Sequence, residues 1–242
     1  RSVLYLDYLI DDQNIIKHNI QINSNKIEIF TTENLKIKIL DKDIIELSQS
    51  NNSDWALIKN SELNDIKIIF NGSKKGLKNI GLNEKNITNC LTFYKVNFKN
   101  VNLFAENNFC EDAINIISSN YKIIDTEFNN IKSDAIDIDF SDGLMNNNNF
   151  VNIGNDAIDF SGSNVKLEKI YIHGSGDKGI SVGEGSTLNG QDIIIENSKI
   201  GIASKDASDV YLDNVTINNV DIGLAAYIKK IEYGSPQIKA SN

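Results

Sequence analysis

Asp134, Asp156 and Asp177 recur at intervals of 22 and 21 residues, and Asp137 and Asp159 are again 22 apart. Between positions 134 and 184 there are nine acids and three bases, a balance of -6 out of -9 for the whole chain. Carboxylates held in pairs can pass a proton between them and a substrate, so Asp134, Asp156 and Asp177 are the candidates for acid and base chemistry. Carboxylates held in threes can ligate Ca²⁺, and Asp137, Asp139 and Asp159 form the candidate oxygen set. Lys178, Lys205 and His173 are the candidates to hold a substrate's carboxylate.

Such roles require residues far apart in the chain to become neighbours, and a 22-residue repeat brings them together. Ala113-Ile114-Asn115-Ile116 returns as Ala135-Ile136-Asp137-Ile138, Ala157-Ile158-Asp159-Phe160, Gly179-Ile180-Ser181-Val182, Gly201-Ile202-Ala203-Ser204 and Gly223-Leu224-Ala225-Ala226. One step back stands Leu91-Thr92-Phe93-Tyr94, giving seven copies on an unbroken period. Each copy alternates apolar and polar residues, the mark of a strand. Each period carries two further apolar stretches, such as Val165-Leu167 and Ile170-Ile172, separated by Asn, Gly, Ser and Asp. Three short strands per 22 residues describe one coil of an all-β solenoid, with equivalent residues of successive coils about 4.8 Å apart.

In that register Asp112, Asp134 and Asp156 share one column, with Asp177 one residue off it, and Asp137 and Asp159 share another. Two ionised carboxylates about 5 Å apart repel by about 3 kcal/mol at an effective dielectric of 20. A retained proton, a bound Ca²⁺, or splaying into water beside a cation such as Lys178 would each relieve this.

The repeat resembles the right-handed parallel β-helix of the pectate-lyase-like superfamily, and the right hand is implied by that resemblance. The acidic ladder resembles, in degenerate form, the active face of the polygalacturonase family. Ser133-Asp134-Ala135-Ile136-Asp137 stands at that family's Asn-Thr-Asp, Asn155-Asp156 at its Asp-Asp, Gly176-Asp177-Lys178-Gly179 at its Gly-His-Gly and Ala203-Ser204-Lys205 at its Arg-x-Lys. Asp134, Asp156 and Lys205 keep the family's residue, whereas its His and Arg are lost. The likeness implies glycoside hydrolysis, with Asp134 and Asp156 as acid and base. Lyases and epimerases of the same superfamily imply Ca²⁺ or a basic group beside a uronate, here Lys178, Lys205 or His173. The expected function is a secreted or surface β-helix that binds or processes a polysaccharide, with Ca²⁺ as the candidate cofactor. The alternative is a structural or adhesive solenoid whose ladder is only solvated surface.

The 242 residues are 40% hydrophobic and 24% charged, enough for a core. A net charge of -9 argues against a nucleic-acid partner, and no apolar run reaches the roughly 20 residues of a membrane span. The 36 Asn and 40 Ile suit solvated turns between β-branched strands. Cys90 and Cys110 pair only if the fold brings them together. The chain starts at Arg1 without Met or signal peptide and reads as a processed chain or an excised domain. One domain over 1–242 is expected, with an entry cap or irregular coils over 1–50, an inserted loop at 71–88, regular coils over 90–226 and a C-terminal cap at 227–242.

Overall fold

The computed structural model describes residues 15–75 and 89–241. Twenty strands and no helix occur among them. Leu57, Thr92, Asn115, Asp137, Asp159, Ser181, Ala203 and Ala225 stack in register, marking eight parallel rungs. Each regular rung contributes three strand segments, so the solenoid has three outer faces. The first face carries the strands of the repeat, such as Asp134–Asp139 and Ile158–Ser161. The second and third carry the two halves of longer strands such as Asn120–Ile131 and Asp142–Ile153.

Alternation explains the core. Ile114, Ile136, Ile158, Ile180 and Ile202 point inward and are buried, and Ile116, Ile138, Phe160 and Val182 form a second inward column. Phe128 and Phe150 stack on successive rungs with ring centroids 4.9 Å apart. At two of the copies packing requires the small opening residue. A Cβ on Gly179 would lie 2.8 Å from Ile195 Cγ2, and one on Gly201 2.8 Å from Ile217 Cγ2.

Two polar ladders tie the rungs together at the corners. Asn130, Asn147, Asn152, Asn197, Asn214 and Asn219 adopt positive φ, which Asn tolerates better than most residues. The amides of four of them reach the same corner one coil earlier: Asn147 donates to Asp125 at 2.6 Å, Asn152 to Asn130 at 3.2 Å, Asn214 to Asp192 at 2.5 Å, and Asn219 to Asn197. Between the first and second faces runs a serine ladder. The backbone N–H groups of Ser119, Ser141 and Ser163 donate to the hydroxyls of Ser141, Ser163 and Ser186, at 2.9, 3.0 and 3.0 Å.

Within the coils over 90–226 the period departs from 22 in two places. Leu91 pairs with Ile114, not Ala113, so that coil has 23 residues and Leu91 and Phe93 take the inward columns. Asn164 pairs with Thr187, again 23 apart, because the turn at Glu184 and Gly185 holds an extra residue. The surplus is absorbed by an irregularity between Ser175 and Lys178, after which Lys178 pairs with Ile200 at a spacing of 22.

At the N-terminal end the strands Ile15–Ile22 and Asn25–Thr32 form an antiparallel hairpin, and the latter pairs antiparallel with Ala56–Lys59. Phe30, Trp55, Leu57 and Tyr94 cluster there. Of the expected loop at 71–88, residues 76–88 lie outside the described residues. Cys90 and Cys110 form a disulfide with Cα atoms 5.5 Å apart. Closing a 20-residue loop contributes about 3 kcal/mol in the chain-entropy account. The buried Gln49 amide donates to both sulfurs, at 3.3 and 3.6 Å. At the other end the strand Gln237–Ser241 pairs in parallel with Asp209–Asp213, so residues 237–241 continue the second face.

Candidate functional site

The first face gathers most of the predicted residues, and the corner before each of its strands sets their chemistry. Asp112 pairs with Asp134. Asp134 Oδ1 accepts the backbone N–H of Asp156 at 2.9 Å and the Asn155 amide at 2.6 Å. Asp156 Oδ1 in turn accepts the backbone N–H of Lys178 at 2.9 Å. The two candidate acid and base groups therefore each fasten the coil above. Lys178, not Asp177, takes the next place in their column, and its amine lies 3.4 Å from both Asp156 oxygens. Asp177 stands beside the column, where its N–H donates to Asn155 O, and binds the Lys178 amine.

Burial pushes Asp134 up to about 6. The Asp156 and Asp159 charges add to the rise, and the hydrogen bonds from Asp156 N–H and Asn155 oppose it. Burial also raises Asp156, against the attraction of Lys178. Burial would raise Asp177 too, but Lys178, with Lys199 and Lys205, outweighs it and holds Asp177 below the usual carboxylate range.

On the strand itself, Asp137 and Asp159 pair on successive rungs, with Asn115 before them and Ser181 after. The Asn115 amide donates to Asp137 Oδ2 at 3.1 Å and to Asp139 Oδ2 at 3.2 Å. Asp159 turns instead toward Lys205, whose Nζ lies 3.6 Å from Asp159 Oδ1. The proposed calcium set thus splits between an amide and an amine and does not fit a Ca²⁺ shell. Among the described residues no three acidic, histidine or cysteine side chains are placed to hold a metal ion. Carboxylate repulsion is relieved by backbone N–H groups, by Asn115, by lysines and by the rise at Asp134.

His173 is not part of this face. It lies on the third face, in register with Val151 and Glu196, and contacts Tyr171, Glu196 and Asn197. Two residues absent from the sequence reading do belong to the first face. Lys199 lies 3.8 Å from Asp177, and Tyr227 pairs with Lys205. Both sit 22 residues after predicted site residues, Asp177 and Lys205, so the repeat register held the signal.

A parallel β-solenoid with an ion-paired acidic strip on one outer face is the class these observations define. Residues 112–240 match the family described as the right-handed β-helix region, and the chain belongs to that family. No curated protein matches the chain. Among the described residues no helix is long and apolar enough to cross a membrane.

Proposed function

We propose that this protein binds a polysaccharide along its first face, outside the cell. The supporting observation is the pairing of Asp137 with Asp159 on successive rungs of a strip that also presents Asp139, Ser161 and Tyr227. A straight row of polar groups, fixed in place by Asn115 and Lys205, suits a linear polymer with hydroxyl groups at regular intervals. Carboxylates outnumber lysines on this face, which favours a neutral polymer over an anionic one. The disulfide fits an oxidising compartment. The hydrolase pair fits less well, because Asp134 Oδ1 and Asp156 Oδ1 both serve the backbone of the coil above.

Affinity electrophoresis through gels containing neutral or acidic polysaccharides tests this reading. Retardation by a neutral polymer that weakens in Asp137→Asn/Asp159→Asn supports it. Retardation by none, or equal retardation of the double variant, removes it. A second reading, polysaccharide cleavage with Asp134 as the acid, rests on the rise of its carboxyl to about 6. New reducing ends or unsaturated products that vanish in Asp134→Asn would favour cleavage over binding alone.

A further inference from the structure

The third outer face carries a cluster that neither packing nor the acidic strip uses. Asn149, Tyr171, Ile194 and Thr216 form one outward column, and Val151, His173, Glu196 and Asn218 form the next. On the rungs either side the outward pairs are Asn149 with Val151 and Thr216 with Asn218, ordinary residues for a solvated sheet. The two middle rungs place Tyr171, Ile194, His173 and Glu196 together instead. Tyr171 is 37% exposed and Ile194 42%. The Tyr171 and His173 rings lie 6.2 Å apart with planes inclined by 27°, and with Ile194 on the next rung they form an exposed surface of ring and aliphatic groups.

The edge of that surface is polar and already fixed. Tyr171 Oη donates to Glu196 Oε2 at 3.1 Å, and His173 Nδ1 lies 3.4 Å from the same oxygen. The Asn197 amide nitrogen lies 3.3 Å from His173 Nε2. Asn218 also hydrogen-bonds Glu196, whose carboxylate the His173 and Tyr171 contacts hold below its ordinary range. An ionised carboxylate and an amide therefore rim the two rings before any ligand arrives. Such preorganisation lowers the ordering cost of binding.

We infer that Tyr171, His173, Ile194, Glu196 and Asn197 form a second saccharide-binding site, selective for uncharged sugars. The C–H face of a pyranose covers the Tyr171 ring and Ile194, while Glu196, His173 and Asn197 exchange hydrogen bonds with ring hydroxyls. Anionic sugars are disfavoured because Glu196 is charged and its partners Tyr171, His173 and Asn218 include no permanent cation. The site stands on its own residues and does not depend on the reading of the acidic strip.

The test is affinity electrophoresis of the full chain in gels containing a β-glucan, a galactomannan, a xylan or polygalacturonate. The wild type is expected to be retarded by at least one neutral polymer and not by polygalacturonate at this site. Tyr171→Ala should raise the dissociation constant for that polymer at least about tenfold, as removal of an aromatic anchor does. Glu196→Gln, which keeps the shape, should also weaken binding and guards against loss through misfolding. Retardation by no neutral polymer overturns the inference, as does unchanged retardation of both variants. Retardation lost in Asp137→Asn/Asp159→Asn but kept in Tyr171→Ala and Glu196→Gln overturns it too, while leaving the first-face reading intact.

Discussion

Lys205 reaches back across a whole rung to Asp159, its Nζ lying 3.6 Å from Asp159 Oδ1 and its side chain only 9% exposed. Its route passes over Gly183, where a Cβ would sit 3.2 Å from Lys205 Cε. Glycine at 183 is thus explained by a neighbour two strands' width in reach, not by its own φ. Ser181, on the bridged rung, is fully buried although it points outward. The bridge converts a row of acids into a fixed, partly neutralised strip.

Lys205→Met should lower stability by about 1–2 kcal/mol. Breaking a buried pair costs more, but Asp159 keeps some contact with water. Gly183→Ala should destabilise the wild type more than it destabilises Lys205→Met. Equal effects in a double-mutant cycle of thermal melts would show that the two positions do not interact.

Asp134 gives stability a pH signature. Its carboxyl rises from 3.8 to about 6 on folding, so the folded state favours the protonated form. The stabilisation is complete below about 4 and is lost as pH climbs through about 6. It amounts to about 2–3 kcal/mol at the acid end. Burial moves Asp156 the same way and adds to the trend. Asp134→Asn should flatten the decline between pH 4 and 6 and raise the melting temperature at pH 7. A variant that keeps the wild-type slope would assign the dependence elsewhere.

The serine ladder predicts losses that side-chain size does not. Ser163→Ala removes the acceptor of the buried Ser141 N–H and should cost about 1–3 kcal/mol. Ser53→Ala, on an exposed turn, should cost less. Urea unfolding of the two variants makes the comparison, and equal midpoints would mean that the ladder adds nothing.

Calcium should leave the melting temperature where it is. Asp137 and Asp139 share the Asn115 amide while Asp159 faces Lys205. A site filled at a hundred times its dissociation constant would add about 2.7 kcal/mol. A rise of that order at millimolar Ca²⁺, abolished by Asp137→Asn, would require these side chains to rearrange around the ion.

The sequence by itself determined the coil. Ile at 136, 158, 180 and 202 with small residues just before each is a pattern that only a stacked strand satisfies, because inward columns must be apolar and must fit against Ile195 and Ile217. It also determined that Asp137 and Asp159 are vertical neighbours, since their offset equals the period. It misplaced Leu91, because one extra residue in a turn shifts register without altering the apolar alternation, whereas Asp177 stands one step off the acidic column as its spacing of 21 requires. Only the tertiary structure decided what each acid does. Asp134 and Asp156 are alike in sequence to catalytic carboxylates, yet whether such a group meets a substrate or the N–H of the next coil depends on side-chain direction at a corner. His173 shares its stretch of chain with Lys178 but turns onto another face, because a coil bends between them, and no one-dimensional spacing records a bend.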